Sequence, residues 1–205
     1  MKKMSSKAIQ IAIMSLFVSC FSDGSYDSLK EQYLLTSENV KLKWAAYKTT
    51  DKIPLYGSFK EIYISESKKS DVLEESIRNM KFKIPIKSLN SGYEVRDLRI
   101  VRFFFNSMAN TSNIEGRVKE VTENNILFLV TLNDIERDIS ATYTMTEDSV
   151  LVISAEVDLL RWNLSSSIES LNTECLDLHK GTDGISKLWD KVDIIIEVDL
   201  KKNLD

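Results

Sequence analysis

A single imidazole, His179, limits the chemistry open to this chain of 205 residues. One histidine cannot build a multi-histidine metal site, nor a catalytic scheme that needs two imidazoles. Cys175 and His179 stand four apart, the separation that sets a nucleophile beside its base on one helix face. Cys175, however, falls in line with Ile168, Leu171 and Leu178, an apolar stripe on which a thiol is buried and inert. His179, close to the end of that helix, is expected to be protonated and to cap it. Asp134, Glu136 and Asp138 alternate and share a strand face, which reads as an exposed acid cluster before it reads as a calcium site. Gly181-Thr-Asp-Gly184 is too little for a phosphate loop, and there is no Ser-centred elbow and no Cys-x-x-Cys. No catalytic residue, metal or cofactor is expected, and the chain is read as a non-enzyme.

The composition is that of a folded body, 43% hydrophobic and 28% charged, with six Gly and two Pro. Its net charge of −4 conceals an asymmetry, because residues 1–19 hold Lys2, Lys3 and Lys7 and no acid. Without them 24 bases face 31 acids, a net charge of −7. Such a body repels phosphate backbones, so nucleic acid is not expected as a partner.

The basic start is followed by an apolar run from Ala8 to Val18. Eleven residues are too few for a hydrocarbon core about 30 Å thick, which takes about 20, but they suit the apolar part of a signal peptide. The run ends Leu16-Phe17-Val18-Ser19-Cys20, which resembles a bacterial lipobox, with Phe17 where Leu is usual. Residues 1–19 are therefore expected to be a signal peptide and Cys20 the lipid-attachment site. The polar stretch 20–39 is expected to be a flexible tether, and 40–205 the folded domain. The localisation expected is the periplasmic side of a bacterial envelope, anchored through acylated Cys20, or free in the periplasm if cleavage near Ser19 leaves Cys20 unacylated. With Cys20 acylated, Cys175 has no disulfide partner.

Period-two alternation dominates the folded part. Ile139, Ala141, Tyr143 and Met145 share one face, as do Leu151, Ile153, Ala155 and Val157, and again Val192, Ile194, Ile196, Val198 and Leu200. Residues 126–132 are apolar on both faces, and weaker strands are predicted at 44–48, 57–64 and 82–87. Asn133-Asp134 and Glu147-Asp148 supply turn residues between them. Successive strands on short connections build an antiparallel sheet that closes into a sandwich or barrel. Helical spacing appears at Ile168, Leu171, Cys175 and Leu178, with Ser165–Ser167 as N-cap and Gly181 as stop. It recurs at Leu73, Ile77 and Met80, with Asp71 and Glu74 as a capping-box variant. Residues 94–108 fit a helix or a strand equally well. The aromatics Trp44, Phe59, Phe104, Phe105, Tyr143, Trp162 and Trp189 either line a pocket or fill the core.

The order of these stretches resembles the YceI-like family of bacterial periplasmic polyisoprenoid-binding proteins, over about residues 40–202. It is carried by Trp44-Ala-Ala-Tyr-Lys-Thr49 and Gly57-Ser-Phe59, then by Phe82-Lys-Ile-Pro-Ile86 with Ser88-Leu89-Asn90. Arg96-Asp97 leading to Phe104-Phe105, Arg161-Trp162-Asn-Leu164, Leu171-Asn172 to Leu178-His179, Gly184 to Trp189 and the strand from Val192 complete it. Asn106 stands where the family commonly has Asp, and the hairpin at 133–138 lacks the usual Gly. The resemblance implies an all-β fold with minor helices: an extended antiparallel eight-stranded lipocalin-like barrel with two or three short helices. It also implies a long isoprenoid chain in the bore, carried or sequestered. The ligand contacts expected are Trp44, Phe59, Phe104, Phe105, Ile139, Tyr143, Met145, Ile153, Ala155, Trp162, Ile194 and Ile196. Expected partners are an isoprenoid or other long-chain lipid and the membrane through Cys20, with a homodimer left open. The alternative is an envelope protein–protein interaction module whose barrel is filled and holds no lipid.

Overall fold

The computed structural model describes residues 32–200. The segment expected to be a signal peptide, Cys20 and the expected tether as far as residue 31 lie outside the described residues, as do residues 201–205.

Among the described residues, ten strands form one antiparallel sheet. They are β1 (Val40–Lys48), β2 (Ile53–Phe59), β3 (Tyr63–Ser65), β4 (Lys81–Pro85), β5 (Leu89–Asn90), β6 (Asn113–Val121), β7 (Asn125–Leu132), β8 (Ile135–Met145), β9 (Val150–Asp158) and β10 (Leu188–Asp199). Three short helices interrupt them: α1 (Leu73–Ile77), α2 (Glu94–Arg99) and α3 (Ser165–Glu174). The spatial order is β3-β4-β6-β7-β8-β9-β10-β1-β2-β5. The two ends of that list are the continuations of β2 and β4, so the curled sheet meets itself. Ser58 and Phe59 pair with Asn90 and Leu89, and Tyr63 to Ser65 pair with Lys83 to Lys81. Between the two ladders the Lys60 N–H donates to the Ser88 carbonyl at 2.8 Å. Counting β2 with β3, and β4 with β5, as kinked single strands gives the eight staves of a barrel in which each strand neighbours the next. Eight is the number at which a closed sheet leaves an interior just wide enough for side chains or one small ligand.

The alternation seen in sequence sets the faces. Leu151 and Ile153 of β9, and Val198 of β10, are buried, while Ser154 of β9 and Ile195 of β10 point outward and are exposed. In β7, Ile126, Phe128, Val130 and Leu132 are buried, whereas Leu127 and Leu129 on the outer face are half-buried. The β7–β8 hairpin turns without glycine: Asn133 (φ +53°) and Asp134 (φ +56°) are both left-handed, the geometry of a type I′ turn. The Asn133 side chain accepts from the Ala109 N–H at 2.8 Å and donates to the Trp162 carbonyl at 2.9 Å.

Several local expectations are corrected. Residues 94–107, left open between helix and strand, are helical: α2 runs into a π-type turn, Ile100–Phe104, and a 3-10 turn, Phe105–Ser107. β6 was not foreseen, although Ile114, Gly116 and Val118 alternate within it. Ser165–Ser167 do not cap α3. They form its first turn after Leu164, and buried Ser167 receives a hydrogen bond from the Ser107 hydroxyl at 2.7 Å. Gly181 does not stop α3, which ends at Glu174 and gives way to a 3-10 turn at Leu176–Leu178. α1 begins after Val72 with no side-chain cap. Finally, residues 33–39, expected to belong to the tether, make ordered contacts with the folded domain. Tyr33 bridges to Ser70, Leu35 is buried, and Asn39 folds the segment by accepting from Thr36 N–H and donating to the Leu34 carbonyl, both at 2.8 Å.

Candidate functional site

The barrel is hollow over part of its length and packed solid over the rest. Ile77, Val118, Ile126, Leu151 and Val198 are almost wholly inaccessible and fill the end next to the β6–β7 and β8–β9 turns. Beyond them lies a cavity of about 440 Å³, within the range of roughly 300–1,000 Å³ typical of small-molecule sites. Its wall is apolar: Leu42, Trp44 and Ala46 from β1, Phe128 and Val130 from β7, Ile139 and Ala141 from β8. Ile153, Ala155 and Val157 of β9 and Val192, Ile194 and Ile196 of β10 complete it.

Two glycines let aromatic rings lie against the wall. Gly57 pairs across the ladder with Trp44, and Gly116 with Phe82, and both rings border the cavity. A Cβ at Gly57 would stand 2.1 Å from Trp44 Cζ2, and one at Gly116 2.5 Å from Phe82 Cζ. The Trp44 indole N–H donates to the Ser58 carbonyl at 3.3 Å and that of Trp162 to the Val130 carbonyl at 3.3 Å, so neither ring brings an unsatisfied donor into the apolar interior.

The helices cover the other end. α3 packs on β10 and on the π-type turn after α2. Consecutive residues of a regular helix diverge, but the π-type and 3-10 turns bring both Phe104 and Phe105 to the cavity, edge to face with centroids 5.0 Å apart. Leu171, Cys175, Leu178 and His179 also reach it. Tyr93 and Leu178 border the cavity and are also exposed, 59% and 54%, which marks where it opens.

Of the expected contacts, Trp44, Phe59, Phe104, Phe105, Ile139, Ile153, Ala155, Trp162, Ile194 and Ile196 line the cavity. Tyr143 and Met145 do not. They lie at the packed end of β8, where Met145 pairs with Leu151; Met145 is 38% exposed and the Tyr143 hydroxyl donates to the Thr122 carbonyl at 3.0 Å. The alternation was correct, but the strand outlasts the hollow. Sequence reasoning missed the polar residues of the mouth, Lys48, Arg96 and Arg99, because no period marks them. Lys48 Nζ donates to the Leu178 carbonyl at 2.9 Å. Arg96 holds the Ser91 hydroxyl and carbonyl, and Ser91 in turn donates to Asp97. Arg99 Nε lies 3.9 Å from Glu174.

His179 differs from expectation in its charge. It is buried, and burial, helped by the nearby Lys48 ammonium, pushes its pKa down to about 4, so the ring is neutral at pH 7. Its Nδ1 lies 2.9 Å from Asn172 Oδ1, to which it donates, and the Ser186 hydroxyl donates to the same oxygen at 3.2 Å. Burial pushes the Cys175 thiol up, against the opposing pull of Arg99 and Lys48, which keeps it protonated. Asp134, Glu136 and Asp138 do not converge as a metal site: Asn110 donates to Asp134, and Asp138 pairs with Lys119 at 2.9 Å.

No family model and no curated protein matches the sequence. Among solved structures, a polyisoprenoid-binding domain from Saccharophagus degradans is similar, with a TM-score of 0.53 and 12% identity over 82% of this chain and 96% of that one. BcnA from Burkholderia cenocepacia gives a TM-score of 0.51 and 12% identity over 78% of this chain and 96% of its own. A YCEI protein of Campylobacter jejuni shows 14% identity over 70% of this chain and 82% of its own, with a TM-score of 0.43. At such identities the likeness is one of fold. The kinked eight-stave barrel, its apolar bore and the helices over one end agree with it: the chain has a YceI-like fold.

Proposed function

We propose that this protein binds a long-chain isoprenoid or similar lipid inside its barrel, for carriage or sequestration, and makes or breaks no bond. The observation that carries the reading is the cavity of about 440 Å³ with an aromatic and aliphatic wall. Burying one methylene is worth about 0.8 kcal/mol, so two isoprene units gain roughly 8 kcal/mol. Association costs about 4–15 kcal/mol, so binding is expected from about three units upward and strengthens with chain length. That one similar structure is described as a polyisoprenoid-binding domain supports the same class of ligand. The cavity favours this reading over a filled barrel that holds no lipid.

The protein is further proposed to act in a bacterial envelope, tethered through acylated Cys20. Mass spectrometry of lipid extracted from the purified protein tests the ligand: a co-purifying long-chain lipid and saturable uptake of a fluorescent isoprenoid are expected. An empty extract together with no uptake would remove the lipid reading. For the anchor, Cys20→Ser should move the protein from the membrane to the soluble fraction, and unchanged membrane association would refute acylation at that residue.

A further inference from the structure

The mouth of the cavity carries charge of one sign. Lys48, Arg96 and Arg99 are the charged residues among its lining, and no carboxylate accompanies them there. This is unexpected in a chain with a net charge of −4. The three cations come from two elements, Lys48 from the end of β1 and Arg96 and Arg99 from one face of α2, so their meeting needs β1 and α2 to converge at the cavity. The same side chains border the opening marked by exposed Tyr93 and Leu178: Lys48 is bonded to the Leu178 carbonyl, and Arg96 lies three residues after Tyr93.

Two carboxylates, Glu174 and Asp97, stand near them but are not part of the lining. Glu174 meets Arg99 at the long separation of 3.9 Å, and Asp97 reaches Arg96 only through Ser91. The one imidazole at the rim is neutral and hydrogen-bonded to Asn172, so it adds no charge. An apolar bore ending in cations suits an amphiphile whose tail fills the barrel and whose head is negative. Charge-assisted hydrogen bonds from guanidinium or ammonium groups are about twice as strong as neutral ones, and beside a low-dielectric bore they are screened less than on open surface.

We infer that the ligand is a long-chain amphiphile with an anionic head, a phosphate ester or a carboxylate, held at the mouth by Lys48 and Arg99 with Arg96 beside them. This rests on the lipid reading above and specifies its head group. The shared chemistry is an oxyanion on an apolar chain, and the sources differ in whether that oxyanion is phosphate or carboxylate.

Displacement of a fluorescent apolar probe from the purified protein separates the possibilities. Farnesyl monophosphate is compared with farnesol, and palmitate with hexadecanol, on the wild type and on the double variant Lys48→Gln, Arg99→Gln. In the wild type the phosphate should bind at least about tenfold more tightly than its alcohol, a difference of roughly 1.4 kcal/mol. In the double variant that ratio should fall to within about twofold while farnesol binding is unchanged, and added salt should narrow it in the wild type. A matching gain for palmitate would extend the head to carboxylates; a gain for the phosphate alone would restrict it to phosphate esters. If farnesol and its phosphate bind equally, or the ratio survives in a double variant with the wild-type melting temperature, the inference is overturned and the lipid reading stands. If no compound, charged or neutral, displaces the probe, the lipid reading itself falls and takes this inference with it.

Discussion

The benzo ring of Trp44 lies over Gly57, its partner across the β1–β2 ladder, so closely that a Cβ on residue 57 would stand 2.1 Å from Cζ2. The pair fixes one wall of the cavity, because the ring can lie flat against the strand only where its neighbour has no side chain. Gly57→Val should therefore destabilise the fold by about 1–3 kcal/mol through overpacking, lowering the melting temperature by roughly 2–4 °C per kcal/mol for a domain of this size. Displacement of the indole should also shift the tryptophan emission. A melting curve and emission spectrum identical to wild type would show that the contact does not constrain Trp44.

Ala155 is a small residue on the lumen side of β9, and Ser154 beside it faces outward. Ala155→Trp should occupy space that a lipid tail needs. Excluding two or three methylenes at about 0.8 kcal/mol each predicts binding weaker by about thirtyfold, whereas Ser154→Trp should leave affinity unchanged. Equal affinities in the two variants would mean the tail does not enter past β9.

The neutral state of His179 gives the fold a pH dependence. Unfolded, its imidazole takes a proton near 6.5; folded, near 4. Between those values the unfolded chain binds more protons, so stability should fall as the pH drops from 6.5 towards 4. Asp158, held low by its hydrogen bond from Lys191, loses its contribution only at more acid pH. His179→Gln should flatten the melting temperature across this window relative to wild type. Parallel curves for the two proteins would show that His179 is not the group responsible.

Asn133 combines a left-handed backbone with two side-chain bonds, to the Ala109 N–H and the Trp162 carbonyl. Asn133→Gly keeps the turn and loses both bonds, each worth about 0.5–1.5 kcal/mol. Asn133→Val loses the bonds and also pays for the left-handed conformation, about 1–2 kcal/mol more. Chemical denaturation should rank wild type above Gly and Gly above Val. A Val variant as stable as Gly would mean the hairpin adopts another turn.

Period two was enough to orient β8, β9 and β10 correctly, because a strand buried on one face must alternate. The turn residues Asn133 and Asp134 were equally legible, even without the expected glycine, since Asn and Asp tolerate left-handed backbone. Residues 94–108 were not. Their apolar spacing suits either period, and packing of α3 against the π-type turn is what holds them helical. Likewise nothing in the order of residues marks the protonation of His179, which follows from burial among elements distant in the chain.

The sequence by itself determined that these strands would turn apolar faces inward, because alternating residues leave an antiparallel sheet no other way to hide them from water. Ten of the twelve residues that the resemblance named border the cavity. Where the hollow ends was decided only by tertiary structure: Leu151 and Ile153 share one face of one strand, yet Leu151 fills the packed end and Ile153 borders the cavity. The meeting of Lys48 with Arg96 and Arg99 was decided there too. Closure of the sheet and docking of the helices over one end bring side chains from separate segments to a single opening, and no local period in the chain encodes such a distance.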